Sequence, residues 1–234
     1  MNILLFKENE THLDKKDARS EHIRKILHLK KGDSFKAGII NGKQGVATIV
    51  SDLDGFDLSF AFDKDKSSLY PLTLIVAQVR PICMKRILRE AVSLGVGRLI
   101  LPVSDLGEKS YLESALYKDN GYEDILIDGA MQSGFTGVSE CILAKNVEEA
   151  IMLVDSDEKL LLDNVIGANA LSSLDLNGKS VTLAIGPERG WTERERKIFI
   201  GNGFSPCLLG SRILRTETAS VAASALALSL MGFI

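Results

Sequence analysis

The chain has 234 residues, 45% of them apolar and 25% charged, with a formal net charge of −3. This balance excludes an extended disordered chain, and the slight negative charge excludes a wholly basic nucleic-acid coat while leaving room for a local basic face. Cys83, Cys141 and Cys207 form no C-x-x-C pair, and His12, His22 and His28 lack ligand spacing, so neither a disulfide framework nor a metal site is expected.

The opening MNILLFKENE lacks the pattern of a signal peptide. Residues 2–6 read as a short strand and 17–27 as a helix with Ile23, Ile26 and Leu27 on one side. Segments 34–40, 45–50 and 56–62 read as strands, and Asn41-Gly42 between the first two is a strong hairpin signal. The charged hexamer at 63–68 carries no apolar periodicity and reads as a linker. It divides a small β-barrel or curled sheet with one helix, 1–68, from a second domain, 70–234.

Beyond the linker, strands expected at 72–79, 98–103, 159–165, 180–185 and 206–209 alternate with helices at 83–94, 121–132, 147–153, 192–199 and 216–231. Alternation of this kind implies an α/β domain whose largely parallel sheet is covered on both faces, with ligands at the carboxyl ends of its strands. Residues 220–234 are the most hydrophobic stretch, too short and too rich in Ala and Ser to span a bilayer. They read as a buried helix or a packing face between subunits.

Two loops join strands to helices at such ends. Gly186-Pro187-Glu188-Arg189-Gly190-Trp191 follows the strand VTLAI and precedes Thr192-Glu193-Arg194-Glu195, which fits a capping box. Its glycines fall where a tight turn or close backbone approach is wanted, and it matches neither a P-loop nor G-x-G-x-x-G. The second loop, Leu209 to Ala219, sets Ile213-Leu214 between Arg212 and Arg215, with Thr216 as the expected N-cap. A loop of that composition is expected to be partly buried, with Glu217 or an anionic group as partner for its arginines.

LLGSRILRTETA at 208–219, together with AIGPERGW at 184–191, resembles the RsmE family of SPOUT methyltransferases, whose pattern is L-G-x-R-I-L-R-x-E-T-A after I-G-P-E-G-G. His22, Ile26 and Leu27 match its H-x-x-x-V-L stretch, Met84 with Leu94-Gly95 its first catalytic-domain helix, and Gln132-Ser133-Gly134 the middle of E-Q-S-G-R. The resemblance implies an N-terminal PUA-like β-barrel that helps bind RNA and a C-terminal SPOUT domain with a deep trefoil knot. It also implies a cytoplasmic homodimer that uses S-adenosylmethionine to methylate uridine N3 in small-subunit ribosomal RNA. By the same resemblance the cofactor is held by Leu162, Asp163 and Asn164, by Ile185, Gly186, Pro187, Glu188 and Gly190, and by Leu209, Gly210, Ile213, Leu214, Thr218 and Ala219. The resemblance also implies that Arg215 and Glu217 carry catalysis.

The sequence departs from the family at Arg189, where a glycine is usual, at Arg80 to Lys85, at Arg89-Glu90, at Leu106 and at Met131 and Phe135. These departures bear on the RNA target more than on the cofactor. Lys and Arg cluster between residues 19 and 31 and between 80 and 98. Arg24, Lys25, Lys85, Arg86, Arg89, Arg189 and Arg212 are the expected RNA contacts, and Tyr70, Phe135 and Trp191 are candidates for stacking on a base or for core and interface. Ala219, Ala222, Ala223, Leu226, Ala227 and Leu230 recur at helical spacing and are expected to form the homodimer contact.

Attack by uridine N3 needs its imide proton removed and negative charge on uracil stabilised. Arg215 is the expected charge stabiliser, since its guanidinium is a fixed donor and poor base. Glu217 orients it or accepts the proton. Two alternatives stand beside this reading: the same chemistry on tRNA or another ribosomal site, and a non-catalytic RNA-binding homologue.

Overall fold

The computed structural model describes residues 2–65 and 68–234. They form two compact units, Met1–Ser68 with Ala130–Val138, and Leu69–Gly129 with Ser139–Ile234. Residues 66 and 67 of the expected linker lie outside the described residues.

The first unit holds β1 (Leu4–Phe6), β2 (His12–Leu13), α1 (Ala18–Lys25), β3 (Ser34–Ile39), β4 (Gln44–Ser51) and β5 (Phe56–Lys64). They build one five-stranded sheet in the order β1-β3-β4-β5-β2. β1 runs parallel to β3 and the remaining pairs are antiparallel. The β3–β4 hairpin turns at Asn41, whose φ of 55° is the left-handed conformation that Asn tolerates. The Asn41 side chain accepts from the Val138 backbone N–H at 2.8 Å, and the Thr136 hydroxyl donates to Gly42 O at 2.8 Å, binding 130–138 to this unit. β2 escaped the sequence reading because two residues carry no periodicity.

α1 is shorter than expected. Asp17 caps it by accepting from Arg19 N, and the chain leaves it at Ile26 and turns through His28 at φ 55°. Ile23 is therefore buried, whereas Ile26 is 65% exposed and Leu27 also reaches solvent. Arg19 is not a free basic residue: it binds Glu10, Asp17 and Leu5 O.

The second unit holds β6 (Tyr70–Val76), α2 (Pro81–Ser93), β7 (Val96–Pro102), α3 (Ala115–Lys118), α4 (Gly121–Ser133) as far as Gly129, β8 (Glu140–Ala144), α5 (Val147–Met152), β9 (Glu158–Leu162), β10 (Asn169–Ala170), β11 (Val181–Ile185), α6 (Glu193–Gly201), β12 (Ser205–Leu208) and α7 (Thr216–Leu230). The sheet has seven strands, all parallel, in the order β10-β12-β9-β11-β6-β7-β8. Ile75, Ile100, Leu161 and Ala184 share one face with Val147, Ile151, Trp191 and Phe199 of the α5 and α6 side. Strand alternation sends Leu74, Leu99 and Leu183 to the other face, and α2 and α7 pack on β6, β7 and β11. Burial on both faces explains the uninterrupted apolar runs. β8 and β10 were not expected; ECILA is five residues long and does not alternate apolar with polar residues, and β10 is two residues long.

No helix among the described residues is long and apolar enough to cross a membrane. α7 buries Ala223, Ala227 and Leu228 within its own chain, so the small-residue stripe read as a subunit contact is in part intrachain packing against α2 and the sheet.

Candidate active site

β12, β9 and β11 are neighbours in the sheet, and the loops that leave their carboxyl ends surround a cavity of about 530 Å³. That size suits a nucleoside-sized ligand.

The loop after β9 turns sooner than the expected strand 159–165 because Asp163 captures it. Its Oδ1 accepts from Val165 N at 2.7 Å and Ile166 N at 3.2 Å, which ends the strand at Leu162. Gly167 then folds back so closely that a Cβ there would lie 2.5 Å from Asp163 O and 2.9 Å from Cys207 O. The second loop is a tight turn, with Gly190 N donating to Pro187 O at 2.8 Å. Gly190 sits at φ 71°, where glycine is favoured, whereas Arg189 is not among the left-handed residues, so the family's usual glycine is not required there.

The third loop departs from expectation. Thr216 does not cap α7: Arg215 is the N-cap residue and makes no side-chain cap bond. The Thr216 hydroxyl donates instead to Gly186 O at 3.0 Å, tying the helix start to the second loop. Nor is the loop partly buried, since Ile213 is 83% exposed and Leu214 is also exposed. Around Gly210 a Cβ would meet nothing within 4 Å, so the protein itself does not crowd that position.

Of the residues expected to hold the cofactor, Leu162, Asp163, Asn164, Ile185, Gly186, Pro187, Glu188, Gly190, Leu209, Gly210, Ile213, Leu214 and Ala219 line the cavity, while Thr218 is exposed on α7 and does not. Arg215 lines it as well, and Glu217 stands outside. Arg189 and Arg212, read as RNA contacts, also line it. Lys85 and Arg86 are exposed on α2, whereas Arg89 donates to Asp128 at 2.8 Å and Arg98, in the same basic cluster, pairs with Glu140. In the first unit Arg24 lies over the Phe56 ring and Lys25 pairs with Glu21. Of the aromatic candidates, Trp191 is core, Tyr70 stacks on Phe233 and Phe135 is exposed.

Glu217 has a neighbour the sequence did not suggest. Burial, then the negative charges of Glu217 and Glu188, push the Cys83 thiol above its ordinary value. At the start of α2, Arg80 donates to the Tyr111 hydroxyl at 3.2 Å.

The second loop is anchored from behind. Fully buried Glu195 accepts from Thr192 N at 2.7 Å, completing the capping box, and from Asp105 N at 2.8 Å. Arg194 pairs with Asp105 at 2.6 Å, and its guanidinium, aided by the Thr192 hydroxyl, holds the Asp105 carboxyl below its ordinary value. Glu195→Ala removes the acceptor of two part-buried N–H groups and empties a fully buried position, and should destabilise folding by about 2 kcal/mol. A denaturant titration reads this directly; an unchanged midpoint would show the anchor to be idle.

A parallel α/β sheet with a glycine-lined cavity at the ends of neighbouring strands defines a protein that binds a nucleoside-like ligand. The family model described as RNA methyltransferase domain matches residues 65–228. The chain is 40% identical to ribosomal RNA small subunit methyltransferase E of Treponema pallidum over 98% of this chain and 91% of that protein. It is 35% identical to ribosomal RNA small subunit methyltransferase E 1 of Borreliella burgdorferi over 96% of each. It also superposes on the Neisseria gonorrhoeae enzyme of that name bound to S-adenosyl methionine, with a TM-score of 0.78, 25% identity and 98% of each chain covered. The chain belongs to the RsmE family of RNA methyltransferases.

Proposed function

We propose that this chain, an S-adenosylmethionine-dependent methyltransferase of 16S ribosomal RNA, methylates N3 of a uridine. The observation that carries the reading is the cavity at the ends of β12, β9 and β11, lined by both glycine loops. Its residues fit the cofactor. Gly190 permits a left-handed turn, Gly186 leaves the turn uncrowded, and Ile185, Leu209 and Leu214 offer apolar surface to a purine. Bound there, S-adenosylmethionine supplies an electrophilic methyl group. Backbone at Leu162, Gly186, Gly190, Leu209 and Leu214 would hold it. Arg215 stabilises the negative charge that uracil gathers as its N3 proton leaves, and Glu217 accepts that proton or orients Arg215.

The unit that begins the chain, residues 1–68, acts as a PUA-like RNA-binding barrel, for which Arg24 and Lys25 offer exposed cations. Residues 70–234 form a SPOUT domain with a trefoil knot. Supporting this, β12 inserts between β9 and β10, two strands joined earlier in the chain, before α7 returns to pack on β11 and β6. The enzyme works as a homodimer in the cytoplasm, where Ile213, Leu214 and Val165 give an exposed apolar rim that a second subunit can cover. Sedimentation at micromolar concentration with cofactor present should give a dimer, and a monomer would contradict this arrangement.

The test is methyl transfer by purified protein from labelled S-adenosylmethionine to isolated small subunits, 16S RNA and tRNA, followed by nucleoside digestion. Label in 3-methyluridine from the ribosomal substrate supports the reading. Label only in tRNA, or none with any RNA despite cofactor binding, overturns it.

A further inference from the structure

Arg196 lies one residue past the capping box of α6 and lines the cavity. Its side chain is only 17% exposed, and its Nε donates to Asp163 Oδ2 at 2.7 Å. Asp163 has little capacity left, because its other oxygen already accepts from Val165 N and Ile166 N and its side chain is almost wholly buried. The two terminal amino groups of Arg196 have no hydrogen-bond partner among the described residues. Nη2 lies 3.8 Å from where a Cβ on Gly190 would stand, so the open end of the guanidinium is at the glycine turn. Water reaches these donors in the free protein, and a ligand that enters the cavity can take its place.

We propose that Arg196 reads the cofactor: while its Nε holds Asp163, its terminal amino groups donate to an oxygen acceptor of the bound molecule. This rests on the reading of the cavity as the S-adenosylmethionine site. Charge supports it, because the Asp163 carboxylate offsets the guanidinium and lets strong donors stand in a site that must also admit a sulfonium cation. The same arrangement ties the exit of β9 to α6, so the two loops that enclose the cavity share one contact. Two sets of oxygens on the cofactor have the required chemistry, the carboxylate of its methionyl part and the hydroxyls of its ribose.

Calorimetry with S-adenosylhomocysteine and with methylthioadenosine, which lacks the amino-acid carboxylate, tests this. The variants are Arg196→Lys, which keeps a cation near Asp163 without the fork, and Asp163→Asn with Arg196→Met. The double variant removes charge and donor together, so no buried carboxylate is stranded, and the Asn oxygen can still serve Val165 and Ile166. Both should lose about 10-fold or more in S-adenosylhomocysteine affinity, as expected for hydrogen bonds from a charged donor, while the double variant melts with the wild type. A loss confined to S-adenosylhomocysteine assigns the carboxylate; an equal loss with methylthioadenosine assigns the ribose. Wild-type affinity in a folded double variant, or in Arg196→Lys, overturns the proposal. Failure of the wild-type protein to bind either nucleoside would instead refute the cavity as the cofactor site.

Discussion

Arg215→Lys should bind S-adenosylhomocysteine as the wild type does, unfold at the same temperature, and methylate RNA about 100-fold or more slowly, the usual consequence of removing one preorganised donor. Arg215 occupies the N-cap position of α7 but gives the helix only its backbone, since its carbonyl accepts from Ala219 N and its side chain makes no cap bond. Its guanidinium is exposed at the cavity wall and makes no hydrogen bond or ion pair among the described residues, so none is lost with it. Lysine keeps the charge and loses the planar fork, which isolates geometry from simple electrostatics. Single-turnover assays beside a thermal melt check the result. Near wild-type turnover would remove Arg215 from the chemical step and shift attention to Glu188, Arg189 and Arg212.

Gly167→Val should lower stability by about 3 kcal/mol and weaken cofactor binding markedly. A Cβ at this position would strike Asp163 O at 2.5 Å and Cys207 C and O at 2.9 Å, and all three are backbone atoms with no rotamer by which to yield. Relief must come from displacing the β9 exit or the end of β12, and Asp163, Val165 and Cys207 all line the cavity. Gly210→Ala is the control. Nothing stands within 4 Å of its Cβ and its φ is ordinary, so folding stability should stay within about 0.5 kcal/mol. Any loss of cofactor affinity in Gly210→Ala then reports contact with the ligand alone. Urea unfolding and calorimetry on both variants separate the two cases; a Gly167→Val protein as stable as wild type would show that the loop has slack.

The alternation of apolar strands with helices made the parallel sheet legible, because a strand buried on both faces must be apolar throughout, as VTLAI is. The glycine loops were legible for a similar reason: the capping box at Thr192 and Glu195 fixes where the helix starts and so where the turn must lie. What escaped depends on contacts distant in sequence. Thr216 looks like a cap until Gly186 O, thirty residues away, claims its hydroxyl. Arg196 looks like one more charge on a surface helix until Asp163 comes within 2.7 Å. Gly167 sits in no motif, and its necessity arises only where β12 passes the loop. Ile213 and Leu214 were read as buried because they are apolar, yet in the single chain they face solvent, which is the state expected of residues that await a ligand or a second subunit.

The most direct measurement is nucleoside mass spectrometry of small-subunit ribosomal RNA from a strain lacking this protein. The 3-methyluridine found in the parent should be absent, restored by the wild-type chain, and not restored by Arg215→Lys. An unchanged 3-methyluridine content in the deletion strain, with a different methylated nucleoside missing from ribosomal or transfer RNA, would contradict uridine N3 of 16S RNA as the target.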